Sequence, residues 1–215
     1  MGIYDTDLKV FQECLKKLPK NWDGKDCILE LKSADYQWRQ MEWWAFYFEY
    51  KARQALQNRI QIPGDRFGNV TFDLKGTINW DLKASAIKTH NHVIILNDKE
   101  AMDLSVQREG FHGEIIALCD VEYNDQDRSF QKWHTELKGG KSRYELEREK
   151  RTAVSRYRKK RATLEEILFV ILKPQDLENL NIMQQGRNSD GSPRKVKYML
   201  NLEELDDLEF YKLTL

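Results

Sequence analysis

The sequence predicts an α/β protein built on a mixed β-sheet flanked by helices, and three observations carry that expectation. Residues 34–58, "ADYQWRQMEWWAFYFEYKARQALQN", hold many helix formers and no glycine or proline, which predicts one long helix. Five strand-like runs follow it: "NVTFDLK", "INWDLKASAI", "HVIILN", "GEIIALCDVEY" and "EILFVILK". Between the last two lies a charged, helical-looking stretch over roughly 141–162. Helix, hairpin, strand, strand, helix, strand is the order of a mixed sheet with helices on its faces.

Taken in order, the N-terminal "MGIYDTDLKVFQECLKKLPKN" carries charge throughout and has no apolar stretch of signal-peptide type. The aromatic residues of 34–58 lie nearly all round a helix, so much of it should be buried. Pro63, Gly64 and Gly68 in "IPGDRFG" end it. The tail "NLEELDDLEF" is acidic and reads as a solvated helix or sheet edge. Neither a repeat nor a low-complexity linker divides the chain, so its 215 residues are expected to form one domain, 1–215.

Six Trp, nine Tyr and nine Phe supply large core pieces and exclude a disordered chain. The longest apolar run, "ILFVIL" (167–172), is far too short to cross a bilayer, so no membrane partner is expected. Cys14, Cys27 and Cys119 are odd in number and form no CxxC pair, which suits reduced thiols in a cytoplasm and argues against structural zinc. Thirty-five basic residues balance thirty-five acidic ones, so net charge names no partner.

The chemistry concentrates in "FDLKGTINWDLKAS" (72–85). With Gly76, Thr77 and Ile78 as a three-residue turn, Lys75 faces Asn79 and Asp73 falls opposite Asp81. Strand alternation puts Asp81 and Lys83 on one face. Opposed carboxylates about 5 Å apart repel unless something positive lies between them. Hard oxygen donors favour a magnesium ion for that place. A lysine at its edge can hold or help activate an attacking water. An exposed hairpin with surface ion pairs is the competing reading. Asp65 is the reserve first carboxylate, through an alternative turn at "DLKG".

Phe72-Asp73 followed by Asp81-Leu82-Lys83 resembles the motif of the PD-(D/E)XK nucleases, with phenylalanine in the place of the eponymous proline. Longer runs resemble a group of bacterial type II restriction endonucleases: "WRQMEWWAFYFE" (38–49), "GNVTFDLKGTINWDLKA" (68–84), "CDVEYNDQDRSFQKWHTELKGGKSRYE" (119–145) and "GRNSDGSPRK" (186–195). Ser85 stands where members often carry histidine. The resemblance implies a restriction-endonuclease-like fold and Mg²⁺-dependent hydrolysis of a specific double-stranded DNA site. It implies metal ligands Asp73 and Asp81 with the Leu82 carbonyl, and Lys83 as the catalytic amine. A homodimer and a cognate DNA methyltransferase, as a functional partner, follow from the same resemblance. It also implies a helix-borne glutamate: Glu49 first, near the small Ala45, and Glu42 second. The alternatives are a structure-selective or repair nuclease, or an inactive DNA-binding protein on the same scaffold.

Residues 138–161, "KGGKSRYELEREKRTAVSRYRKKR", hold eleven Lys/Arg against three Glu, a footprint expected of phosphate-backbone binding, with Tyr144 and Tyr157 as further donors or anchors. "ELEREKR" can pair internally, whereas "RYRKKR" contains no acid of its own. The loop "QQGRNSDGSPRKVK" (184–197) offers Gln185, Arg187, Asn188 and Arg194 for base edges. His90, His92, His112 and His134 show no ligand spacing and read as structural. Asp120 and Glu122 are a further acidic pair on one strand face, open to a supporting role.

Overall fold

The structure is a computed structural model that describes residues 2–64, 71–87, 92–124, 127–141, 145, 146, 150, 158–186 and 191–215. Its centre is a mixed sheet. Strands β1 (Asn21–Asp23), β2 (Leu74–Lys75), β3 (Asn79–Ala86), β5 (His112–Tyr123), β6 (Lys159–Leu172) and β9 (Glu209–Thr214) form it. β6 is the spine: β1 and β9 share one of its edges, β5 lies antiparallel on the other, and β3 runs parallel to β5. β2 closes the far edge as the short arm of a hairpin with β3. A parallel pair needs a crossover. Here β4 (Val93–Asp98) and helix α4 (Lys99–Glu109) supply it, and Gly110 ends the helix at φ 79°.

Alternation along the central strands divides the core in two. Ile167, Phe169 and Ile171 of β6, Ile115 and Ala117 of β5, and Trp80 and Leu82 of β3 meet helices α1 (Asp5–Leu15), α2 (Gly24–Ser33) and α3 (Trp43–Leu56). Leu168, Val170, Leu172 and Ile116 point the other way. They pack under α4, helix α6 (Pro174–Asn179) and a small antiparallel sheet of β4, β8 (Val196–Asn201) and β7 (Asn181–Gln184). Helix α5 (Ser129–Leu137) adds Phe130 to the first half. Trp80 lies flat enough on β5 that a Cβ on Gly113, its register partner, would come 2.1 Å from the indole.

Several expectations need correction. The long helix over 34–58 is α3 alone, because Asp35 and Gln37 adopt positive φ (51° and 38°) and turn the chain. Trp38, with Lys32 and Arg39 over its ring, sits in that turn. The strand expected over "NVTFDLK" is ordered as β2 only at Leu74 and Lys75; residues 65–70, Asp65 included, lie outside the described residues. Of the stretch expected to be helical over roughly 141–162, Lys159–Ala162 belong to β6 and residues 142–144, 147–149 and 151–157 lie outside the described residues. The acidic tail is, as expected, helix and sheet edge: a 3-10 helix (Leu202–Asp207) and then β9, paired to β6 alone among the described strands. No helix among the described residues is long and apolar enough to cross a membrane.

Candidate active site

The hairpin turn is the expected one: Gly76 N–H donates to the Ile78 carbonyl, and Lys75 pairs with Asn79. The alternative turn at "DLKG" is not adopted. β2 begins only at Leu74, so Asp73 forms no ladder pair with Asp81, contrary to expectation. Instead its Oδ2 accepts the Leu82 backbone N–H at 2.8 Å, taking the place of the missing next rung. Beyond that point no described strand pairs with this edge of β3, and the polar cluster gathers there.

Asp81 and Lys83 lie on one face of β3, the Nζ 4.0 Å from Asp81 Oδ2. The same Oδ2 accepts the Asn97 side-chain amide at 2.9 Å, and that amide also donates to the Thr71 carbonyl at 2.6 Å. Asn97, at the end of β4, thus ties Asp81 to the chain entering β2. Glu49 comes from α3, where it is buried and accepts the Tyr36 hydroxyl at 2.5 Å. From β5 come His112 and Glu114, buried at 0 % exposure, with Glu114 the register partner of Asp81. His112 Nε2 lies 3.5 Å from Asp81 Oδ2 and 3.4 Å from Glu114 Oε1. The Phe72 ring packs 5.2 Å from the imidazole.

The charges act on one another throughout this cluster. Burial, and then the Asp73 charge, push the Glu49 carboxyl up to about 8. Burial and Asp81 push Asp73 up to about 6. Burial works against ionised Asp81 as well, but the Lys83 ammonium, His112 and the Asn97 amide outweigh it and hold Asp81 down at about 2. Burial raises Glu114 too. Lys83 is driven the other way: burial disfavours its charge, yet Asp81, Glu114, Asp73 and Glu49 together hold it firmly as an ammonium. Four carboxylates therefore face two cationic side chains. A surplus of negative charge in a desolvated place is stable only with further protons or a cation.

Other residues stand elsewhere. Glu42, at the head of α3, accepts Trp44 Nε1 at 2.8 Å and pairs with Lys159 at 2.5 Å. Glu122 pairs with Lys160 at 2.7 Å, and Asp120 lies farther along β5 in register with Thr163. His92 is 3.8 Å from Glu203, and buried His134 donates from Nε2 to the Trp38 carbonyl at 2.9 Å. His112, which showed no ligand spacing in the sequence, stands among the acids. The signal was the i, i+2 pair His112-x-Glu114, which a strand beginning one residue earlier would have put on one face.

"RYRKKR" also departs from expectation. Arg158 reaches Glu145 at 2.8 Å, Lys159 reaches Glu42, Lys160 reaches Glu122, and Arg161 lies 3.5 Å from Asp23. Its acidic partners come from distant segments of the chain. Gln184 donates to the Arg194 carbonyl, which makes these residues the stem of the β7–β8 hairpin, and Gln185 is half-buried. Arg187, Asn188, His90, Tyr144 and Tyr157 lie outside the described residues. No family model, curated protein or solved structure matches the chain.

Proposed function

We propose that the protein is a Mg²⁺-dependent DNA endonuclease of the PD-(D/E)XK type, acting as a site-specific type II restriction enzyme. The observation that carries this reading is the convergence of Asp73, Asp81, Lys83 and Glu49 at the edge of β3. A β-hairpin followed by a strand parallel to its second arm, with helices over the sheet, is compatible with a restriction-endonuclease-like core.

The donors suit a hard cation. Asp73 and Asp81 offer carboxylate oxygens, the Leu82 carbonyl lies between Asp81 and Lys83 in the chain, and Glu49 and Glu114 add further carboxyl groups nearby. Asp73, Asp81 and Leu82 would hold Mg²⁺, with Glu49 completing the outer contacts. When bound, the ion neutralises phosphate charge and makes a coordinated water more acidic. Lys83, kept as an ammonium by its four acidic neighbours, serves as a hydrogen-bond donor. It orients the attacking water and stabilises charge growing on the phosphoryl oxygens, and does not take the proton. A homodimer would match the two-fold symmetry of a short duplex site, and a methyltransferase of the same specificity would protect the host DNA.

Plasmid digestion tests the reading. Discrete fragments with Mg²⁺, and none with chelator, are expected, and sequencing of the ends gives the site. A smear would point to a structure-selective nuclease. Salt-sensitive DNA binding without any cleavage would point to an inactive scaffold.

A further inference from the structure

The nuclease reading uses neither His112 nor Glu114, yet both are fully buried beside Asp81. Among the described residues, both Glu114 carboxylate oxygens and His112 Nε2 lack a hydrogen-bond partner. A buried carboxylate with no donor costs about 1–3 kcal/mol or more, so an arrangement that keeps one calls for a ligand. One ligand atom from each of Asp81, His112 and Glu114 lies within 4.8 Å of the other two.

The distances define the ligand further. At 3.4 and 3.5 Å, the contacts from Nε2 to the two carboxylates are long for hydrogen bonds between charged groups. They match another geometry. Ligands about 2.0–2.1 Å from a tetrahedral metal are separated by about 3.3–3.4 Å. The supports around the cluster are also those of a metal site. Ser105 Oγ, held by the Asn79 amide at 2.8 Å, lies 3.4 Å from His112 Nδ1 and can accept its proton, so a metal that displaces the Nε2 proton would meet a lone pair directed toward the acids. The Asn97 amide fixes Asp81 at 2.9 Å.

We propose that Asp81, His112 and Glu114 form a second cation site, selective for a borderline transition metal such as Zn²⁺, Co²⁺ or Mn²⁺ over Mg²⁺. Imidazole nitrogen favours these metals, whereas Mg²⁺ demands oxygen. Three protein ligands leave a fourth position open for water or a phosphate oxygen. Asp81 is common to this site and to the Mg²⁺ site, so the proposal deepens the nuclease reading. Its catalytic relevance rests on that reading, and the binding itself does not.

Titration of the metal-free protein with Co²⁺, in the absence of DNA, tests it. One equivalent should bind with the strong visible absorption of a four-coordinate site, and millimolar Mg²⁺ should leave that absorption in place. Glu114→Gln and His112→Asn should each weaken Co²⁺ binding more than a hundredfold while far-UV circular dichroism stays that of the parent. Ser105→Ala should weaken it by about 10- to 100-fold, as expected for a group that orients a ligand. Absent Co²⁺ binding, absorption abolished by Mg²⁺, or equal affinity in the folded variants would each overturn the site. The Mg²⁺ competition needs only the parent protein, so it decides even if a variant fails to fold. Mg²⁺-dependent DNA cleavage without this Co²⁺ signal would sink the second site alone. The signal without cleavage would sink the nuclease reading and leave the site standing.

Discussion

Two buried carboxylates face β3 from different elements, and they are treated in opposite ways. Asp7, from α1, sits under the hairpin turn at 2 % exposure, and donors surround it: Thr77 N–H, Thr77 Oγ, Ile78 N–H and Trp80 Nε1. The fit is close enough that a Cβ on Gly76 would come 2.3 Å from its Oδ2. Glu114, from β5, is as deeply buried and has no hydrogen-bond donor among the described residues. Asp81 has a single amide donor, with an ammonium and an imidazole at longer range. Burial alone therefore marks neither a structural nor a functional acid. What distinguishes them is whether the fold satisfies the carboxylate or leaves it for a cation.

Substitution sharpens the contrast, and the largest expected effect is on activity. Asp81→Asn removes a charge that the proposed reaction needs and leaves the Asn97 contact available, so cleavage should fall by about 10³-fold or more, with weaker Mg²⁺ binding and the fold retained. Cleavage and metal titration on the same preparation check it. Asp7→Asn should leave the chemistry alone and damage the fold. It turns amide hydrogens toward donors already present, so chemical denaturation should show a loss of about 3 kcal/mol.

The two buried histidines extend the comparison to cations. Between Asp81 and Glu114, His112 is raised to about 9, because the carboxylates outweigh the burial that disfavours its charge. Burial pushes His134 down to about 4; the Trp38 carbonyl opposes that, and Lys138 and Arg158 reinforce it. Below its unfolded value of about 6.5, the unfolded chain binds the His134 proton and the folded chain does not. Its stabilising contribution is thus full above about 6.5 and lost as the pH falls toward 4. It amounts to about 2–3 kcal/mol, and His134→Gln should flatten the acid limb of a stability–pH curve by that amount.

The smallest effect has the opposite sign from Asp7→Asn. The surroundings of Glu114 disfavour its charge, burial first, so Glu114→Gln should raise the melting temperature of the metal-free protein slightly. Thermal melts in chelator check this.

The hairpin was legible because its determinants are local. A three-residue turn sets Lys75 against Asn79, and a period of two puts Asp81 and Lys83 on one face. Glu49, preferred to Glu42 for the nearby small Ala45 once the resemblance called for a helix-borne glutamate, is the one whose charge couples to Asp73. His112 and Glu114 could not be placed, since their contact with Asp81 depends on parallel pairing across a crossover. The helix of that crossover, "KEAMDLSVQRE", buries only Met102, Ser105 and Val106 and shows little apolar periodicity. The acidic partners of the basic segment were hidden for the same reason: Glu42, Glu122, Glu145 and Asp23 approach Arg158, Lys159, Lys160 and Arg161 only when β1, α3, β5 and β6 assemble.

Single-turnover cleavage of duplex DNA under saturating Mg²⁺, comparing the parent with Lys83→Ala, addresses the central assignment most directly. Loss of the ammonium should slow the chemical step by about 10²–10⁴-fold, while DNA affinity and the circular dichroism spectrum stay unchanged. An equal rate in the folded variant would contradict the assignment of the β3 edge as the reacting centre.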